Sequence, residues 1–334
     1  MPDQVLFGIE VVINGLMAGV LYALVALGFV LIFKASGIFN FAQGVMALFA
    51  AMTLVGIQDG QVPFSHLINA IFGTKIHHFG WEVHSILAIL VTIVVMIVLA
   101  WAVQHFIFKH LVGQEPIILF MATIGLAYFL EGVADLMWGA EIKTLNVCLA
   151  DGVCLPQGIN GFLDATTFNW FGYGLFIDNL DISATIVAVI LVAILVIFSQ
   201  YTKQGRAMRA VADDHQAALS VGISLNYIWI LVWSVAGFVA LVAGIMWGAK
   251  SGVQFSLSLI ALKALPVLML GGFTSIPGAI IGGLIIGVGE KLFEFLVGSM
   301  IGGATENWFA YVLALLFLVF RPQGLFGERI IERV

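Results

Sequence analysis

Gly205-Arg206-Ala207-Met208-Arg209-Ala210-Val211-Ala212-Asp213-Asp214, running on to Gly222-Ile223, is a charged, alanine-rich stretch stranded between long apolar runs. A charged side chain at the centre of a membrane helix costs about 2.5 to 3.5 kcal/mol on insertion scales. The stretch therefore belongs in water, and the runs that flank it belong in lipid. Laid on a helix, Ala207, Ala210, Val211, Ala218 and Val221 form one stripe, with Arg209, Asp213, Gln216 and Ser220 facing the other way. Asp214 falls on the apolar stripe and predicts either a break between two short helices or a buried polar contact. Gly222 is a natural stop, because glycine accepts the left-handed conformation that closes many helices. A solvated connector is the plain reading of such a loop. The low alanine ridge, edged by Arg206 and Arg209, also suits a groove on a partner protein.

The composition carries the membrane reading to the whole chain. Of 334 residues, 62% are hydrophobic and 10% are charged, against roughly 25% charged in an ordinary soluble domain. The mean hydropathy is +1.11. The 37 glycines suit helices that approach closely in lipid. The net charge of -6 excludes a nucleic-acid surface as the main theme, so no nucleic-acid partner is expected. Met1-Pro2-Asp3-Gln4 lacks the positive region of a cleavable signal peptide, and the apolar run from Val5 to Phe33 outlasts a signal core.

A ruler of about 20 apolar residues per crossing picks out about eight spans. They lie near 8–33, 39–57, 84–108, 117–138, 183–200, 226–248, 258–275 and 277–297, with a ninth candidate at 307–320. The expected fold is an all-α polytopic membrane bundle forming a single domain over 1–334, with an outer loop at 139–182 and a cytoplasmic loop at 201–225. The run at 39–57 opens on Asn40, Gln43 and Gly44, which predicts a broken or re-entrant helix beside a cavity. With nine crossings and the amino end outside, Lys34, Lys109, Lys203, Arg206, Arg209, Arg321, Arg329 and Arg333 fall in the cytoplasm, together with the carboxyl tail. Lys75, Lys143 and Lys250 are left outside among many acids, Lys250 being the odd one.

Cys148 and Cys154 then lie in the outer loop, where a disulfide across Asp151-Gly152 and a pair of free thiols are both open readings. Histidines 66, 77, 78 and 84 share the first outer loop without a ligand spacing, and no metal site is expected. Gly248-Ala249-Lys250-Ser251 lacks the glycine spacing of a phosphate loop, and no protease or hydrolase nucleophile motif occurs. The chain is not expected to be an enzyme or to hydrolyse ATP.

Charges inside the spans narrow the function. Glu131 and Asp135 lie four apart on one helix face, within a span that also has Thr123 and Gly125. They read either as a polar wall of a solute path or as groups reaching interfacial water. If the spans on either side of Ser275–Pro277 form a hairpin, matching depths set Lys263 opposite residue 288 or so, about a turn from Glu290. An intramembrane ion pair Lys263–Glu290, chiefly structural, is expected. Gly278 with Gly282, and Gly283 with Gly287, are small-x-x-x-small patterns that predict close packing, within the chain or across a dimer axis.

The loop Gly205-Arg206-Ala207-Met208-Arg209-Ala210 with Asp213-Asp214 and Gly222-Ile223 resembles the cytoplasmic loop of branched-chain amino-acid-type ABC transporter permeases, a family that includes urea and short-amide permeases. The likeness covers nearly the whole chain. Asn14-Gly15, Tyr22-Ala23-Leu24, Gly28 and Asn40-Phe41-Ala42-Gln43-Gly44 are similar to its first helix and the turn after it. Lys263-Ala264, Leu270-Gly271-Gly272, Ser275-Ile276-Pro277-Gly278-Ala279, Gly282-Gly283, Glu290 and Arg321-Pro322-Gln323-Gly324-Leu325-Phe326-Gly327 fit its later part.

The resemblance implies a permease subunit in a bacterial inner membrane. Its implied partners are a second permease, same or related, two cytoplasmic ATPase subunits that bind the ATP, and a solute-binding protein. Gly205, Arg206, Ala207, Arg209, Ala210, Asp213, Asp214, Ala218 and Gly222 would couple to the ATPase, and Asn14, Asn40, Gln43, Gly44, Thr123 and Glu131 would line the path of a small polar solute such as an amino acid, urea or an amide. Gln43 and Val45 stand where the family usually carries a histidine and an acid, and Glu131 where glutamine is common. The alternative is an ion-coupled carrier using Glu131, Asp135 and Glu290.

Overall fold

The computed structural model describes residues 2–72, 83–111, 113–150, 153–155, 158–159, 167–170, 173–213, 215–303 and 305–327. Each of the apolar runs is a helix. They are α1 (Pro2–Ser36), α2 (Gln43–Gln58), α4 (Ser85–Phe106), α5 (Pro116–Trp138), α6 (Asn179–Tyr201), α9 (Leu225–Ser251), α10 (Ile260–Gly271), α11 (Ile276–Phe293) and α13 (Glu306–Phe320). Between them lie α3 (Ser65–Phe72), α7 (Lys203–Asp213), α8 (His215–Ser220) and α12 (Ser299–Ile301), which follows a wide π turn at Glu294–Gly298. The chain is a polytopic helical bundle, but not one of uniform spans. Five helices, α1, α4, α5, α6 and α9, are long and apolar enough to cross a membrane alone. The segments Phe255–Gly271 and Ile276–Ile301 meet at a 114° bend, a wide V where a hairpin was expected, and α2 and α13 are short.

The loop at 139–182 adds small β elements to the helical bundle. It carries a three-stranded antiparallel sheet of β1 (Val147–Ala150), β2 (Val153–Leu155) and β3 (Gly158–Ile159), and a hairpin of β4 (Thr167–Trp170) and β5 (Tyr173–Phe176).

Helix α2 sits at the centre, buried along its length from Gln43 to Gly56. It is not a plain span: α1 ends at Ser36, and residues 37–42 turn inside the bundle before α2 begins. Small residues let its neighbours reach it. A Cβ at Gly44 would strike the Ser258 carbonyl, one at Gly56 the Trp138 ring, and one at Gly244 of α9 the Ala47 carbonyl.

The α1–α11 crossing is closer still. A Cβ on Gly19 would stand 2.6 Å from the Gly283 carbonyl oxygen, and one on Gly283 equally close to that of Gly19; Gly15 and Gly287 continue the contact. Gly278 and Gly282 meet Gly271 and Val267 of α10 in the same way. Both small-residue patterns of α11 are therefore used within the chain, where dispersion between close backbones replaces a hydrophobic drive that lipid cannot supply. The opposite surfaces of α4, α6 and α13, with Val94, Ile97, Ile190, Ile194, Leu315 and Val319, are exposed and apolar, as a lipid boundary requires.

Candidate functional site

The bundle has two ends, and contacts assign each helix terminus to one of them. Lys34 at the end of α1, Gln200 near the end of α6, Arg209 of α7, the turn Thr274–Pro277 and Phe326 surround one small cavity. The Gln104 amide donates to Asn226 at 3.3 Å, which adds the end of α4 and the start of α9. The C-terminal segment joins them through Leu325 N to Leu270 O at 2.8 Å and Phe326 N to Gly271 O at 3.2 Å. At the other end, the Gln58 amide donates to Ser85 and to the Asn146 carbonyl. Lys250 pairs there with Asp181 at 2.6 Å, and Lys291 with Glu306 at 2.5 Å.

That second end opens into a cavity of about 630 Å³ between α1, α6, α9, α11 and α13. Asn14, Tyr22, Asp181, Trp247, Lys250, Lys291 and Glu306 are among its walls. It combines aromatic surface with paired charges of both signs, the equipment for a small polar or zwitterionic solute. Sequence reasoning named Asn14 there and missed the others. The signal that was available is Lys250, whose place among outer acids is explained by its Asp181 partner.

Asn40, Gln43, Gly44 and Thr123 are brought together elsewhere, in the centre of the bundle. The Asn40 amide donates to Gln43 Oε1 at 3.2 Å, and its Oδ1 accepts from Ala42 N at 3.1 Å. The Gln43 amide donates to the Ala236 carbonyl of α9 at 3.2 Å. Gly28 leaves room for the Gln43 side chain, since a Cβ there would overlap it. Thr123 Oγ1 accepts from Phe41 N at 3.1 Å and lies 3.1 Å from the Phe39 carbonyl, tying α5 to the 37–42 turn. All three polar side chains are buried and bonded, so this knot fixes where α2 starts. Glu131 is half-buried and Asp135 exposed on α5, and neither lines the large cavity.

Lys263 Nζ lies 2.9 Å from Glu290 Oε1, so the structure brings these two together across the V. Tyr22, which lines the large cavity, donates its hydroxyl towards the same oxygen at 3.5 Å, and its ring lies under the Lys263 ammonium. Glu290 is 1% exposed. Its Oε2 has no partner among the described residues.

At the loop end, α7 and α8 bracket position 214; Asp214 itself lies outside the described residues. The seating differs from the expected stripe. Gly205, Met208, Val211 and Ala218 are the buried positions, turned to the bundle. Ala207 and Ala210 are half-buried, and Val221 is 78% exposed. The stretch is amphipathic as expected, but its buried side is shifted in phase, and the chain's own α1 and α6 take most of it. Gly205 lets α7 pass the Phe198 and Ser199 carbonyls, and Arg209 donates to Gln200 O at 3.2 Å. Arg206, Asp213 and Leu219 remain exposed. Gly222, at φ +87°, closes α8 with Gly222 N to Leu219 O and Ile223 N to Ala218 O, the paired bonds of a Schellman end.

Cys148 and Cys154 face each other in the β1–β2 register. Their side chains lie outside the described residues, as do His77, His78, Arg329 and Arg333. His84 caps α4, its Nδ1 accepting from Ile86 N at 3.4 Å.

A membrane-embedded helical bundle with a polar cavity at one end and a seated amphipathic helix pair at the other defines a membrane permease. The family model described as "Branched-chain amino acid transport system / permease component" matches residues 11–321, and the chain belongs to that family. It is 26% identical over 350 residues to the high-affinity branched-chain amino acid transport system permease protein LivH of Escherichia coli K12, covering 100% of both chains. It is 27% identical over 335 residues to the corresponding BraD protein of Pseudomonas aeruginosa, at 98% of each. The fructose import permease protein FrcC of Rhizobium meliloti matches over 194 residues at 27%, 55% of this chain and 51% of that protein.

Proposed function

We propose that this chain is the permease subunit of an ATP-driven importer for a small polar solute, a branched-chain or related amino acid. It would work with a second permease, two ATPase subunits that bind ATP, and a solute-binding protein. The observation that carries the reading is the family match across 11–321, nearly the whole chain, including both the cavity and the α7–α8 pair. On this reading the basic end, with Lys34, Lys203, Arg206, Arg209 and Arg321, is cytoplasmic and the amino terminus is outside. The cavity walled by Asn14, Lys250 and Lys291 would then receive solute from the outer side.

The α7–α8 pair supports coupling through its stiffness. Pinned to α6 at Gly205 and by Arg209, and closed at Gly222, it would transmit a push from a docked ATPase to α1 and α6. Its docking surface is the exposed edge with Arg206, Asp213, Leu219 and Val221, not the alanine stripe. The urea and short-amide permeases within the resemblance, and the partial likeness to the fructose import permease FrcC, keep the solute open. The carrier reading needs Glu131, Asp135 and Glu290 to relay ions; Glu131 and Asp135 are on α5, whereas Glu290 of α11 bonds Lys263 and Tyr22.

The test is uptake by proteoliposomes holding the chain with its co-expressed ATPase and partner permease. Solute accumulation should require ATP and persist without an ion gradient. Arg206→Ala combined with Gly222→Pro should abolish coupled ATPase stimulation while the protein still purifies as a folded membrane protein. Uptake by the chain alone, driven by a proton gradient, would overturn the proposal in favour of the carrier.

A further inference from the structure

The small cavity at the loop end is built for an anion. It holds about 200 Å³ and is lined by Lys34 of α1, Ser199 and Gln200 of α6, Arg209 of α7, the turn Thr274–Pro277 and Phe326. Among the described residues, no acidic side chain is on its wall. Two cations from different elements converge there, and neither makes an ion pair among the described residues. Arg209 spends one guanidinium donor on Gln200 O and keeps others.

Hydroxyls add to the charge. Ser199 is 5% exposed and lines both this cavity and its narrow inner extension with Lys34 and Arg209. A serine hydroxyl can donate one hydrogen bond to an anion held there. The 18-residue helix α11 starts at the same place. Ser275 Oγ accepts from Gly278 N at 3.1 Å, which leaves its own proton to donate outward.

We propose that this cavity binds a phosphate-type oxyanion, held by Lys34 and Arg209, with Ser199 and Ser275 as hydroxyl donors at the start of α11. The tetrahedral charge, several acceptor oxygens and compact size of a phosphate match that donor set. Tyr201, the residue after Gln200 of the wall, is exposed and of the type enriched at membrane interfaces. An anionic lipid phosphate and soluble phosphate carry the same chemistry. Because Arg209 belongs to α7, an occupant would brace the helix pair against α1 and α11. The inference stands on the cavity alone and does not depend on the solute or on ATPase coupling.

The experiment is native mass spectrometry of the purified full chain in detergent, titrated with phosphatidylglycerol or with phosphatidylcholine. A parallel arm measures thermal unfolding with inorganic phosphate against equal chloride. Wild type should retain phosphatidylglycerol over phosphatidylcholine, with affinity falling about fivefold for each cation removed in Lys34→Gln and Arg209→Gln. Ser199→Val should also weaken binding, whereas Lys203→Gln, an exposed cation outside the cavity, should not.

Lipid binding without a phosphate effect assigns the site to a headgroup. Stabilisation by phosphate that Lys34→Gln abolishes, without lipid preference, assigns it to the soluble anion. Equal lipid retention by wild type and both cation variants, with no phosphate stabilisation in any of them, overturns the proposal. Protection of Lys34 from acetylation only when the ATPase is added, again without binding of either anion, overturns it in favour of a partner carboxylate. Monodispersity of every variant on gel filtration separates lost binding from lost fold.

Discussion

At the residue scale, the Lys263–Glu290 pair shows how charges are kept in this membrane. Glu290 is enclosed by α1, α10 and α11, with one oxygen on Lys263 and Tyr22 and the other without a partner among the described residues. Removing one member of a buried pair strands the other charge, a loss of about 3–5 kcal/mol. Lys263→Met alone and Glu290→Leu alone should each lower thermal stability in detergent sharply. The double variant Lys263→Met/Glu290→Leu should recover most of it, and an additive double would show that the two charges act separately. Lys143 behaves differently, in the water-facing loop. It is 8% exposed, with Nζ 2.5 Å from Gln61 Oε1 and its backbone bridged to Val253. Burial pushes its ammonium below the usual lysine range, partly opposed by Asp59 and Glu141. The folded state therefore holds its proton less tightly than the unfolded chain. Stability should rise with pH between the lowered value and about 10.4 and then level off. Thermal melts across that window, compared with Lys143→Met, check the sign: the variant should lose this rise.

At the element scale, the α1–α11 crossing sets the spacing of the bundle. A valine at 283 would drive its Cβ against the Gly19 carbonyl, which belongs to backbone and cannot rotate away. Gly283→Val should cost at least about 1–3 kcal/mol and reduce the folded yield. Gly125→Ala is the matched control, since a Cβ at Gly125 meets nothing within 4 Å. It should be tolerated, as judged by melting temperature and gel filtration. These glycines also show what the sequence could reveal. Their spacing announced close packing, but only the fold assigned the partners, because contacts between residues 19 and 283 leave no local pattern. The depth match that set Lys263 near Glu290 used a local constraint, a turn at Ser275, and reached the right neighbour even though the turn is a V. Asn40, Gln43 and Thr123 were legible as buried polar groups. Their bonding into one knot depends on the 37–42 turn, which hydropathy alone reads as part of a span.

At the scale of the whole molecule, the alternation of apolar runs already sorted the loops onto two sides, and the contacts at each end group them in the same way. The cavity was less legible. Its walls come from five helices, and Tyr22, Trp247 and Lys291 carry no motif that singles them out. We infer the orientation of the bundle from the unequal charge of its ends. Lys34, Lys109, Lys203, Arg206, Arg209 and Arg321 crowd the loop end, whereas Lys250 at the other end is matched by Asp181 and Lys291 by Glu306. Unpaired basic loops resist translocation, so the loop end should be cytoplasmic. The check is cysteine labelling of intact cells in a Cys148→Ser/Cys154→Ser background, with single cysteines at Ser220 or Glu141, both exposed positions. A membrane-impermeant maleimide should modify Glu141→Cys directly and Ser220→Cys only after permeabilisation. The reverse pattern would invert the topology, placing α7 and α8 outside, where no ATPase could reach them, and the coupling proposal would fall with it.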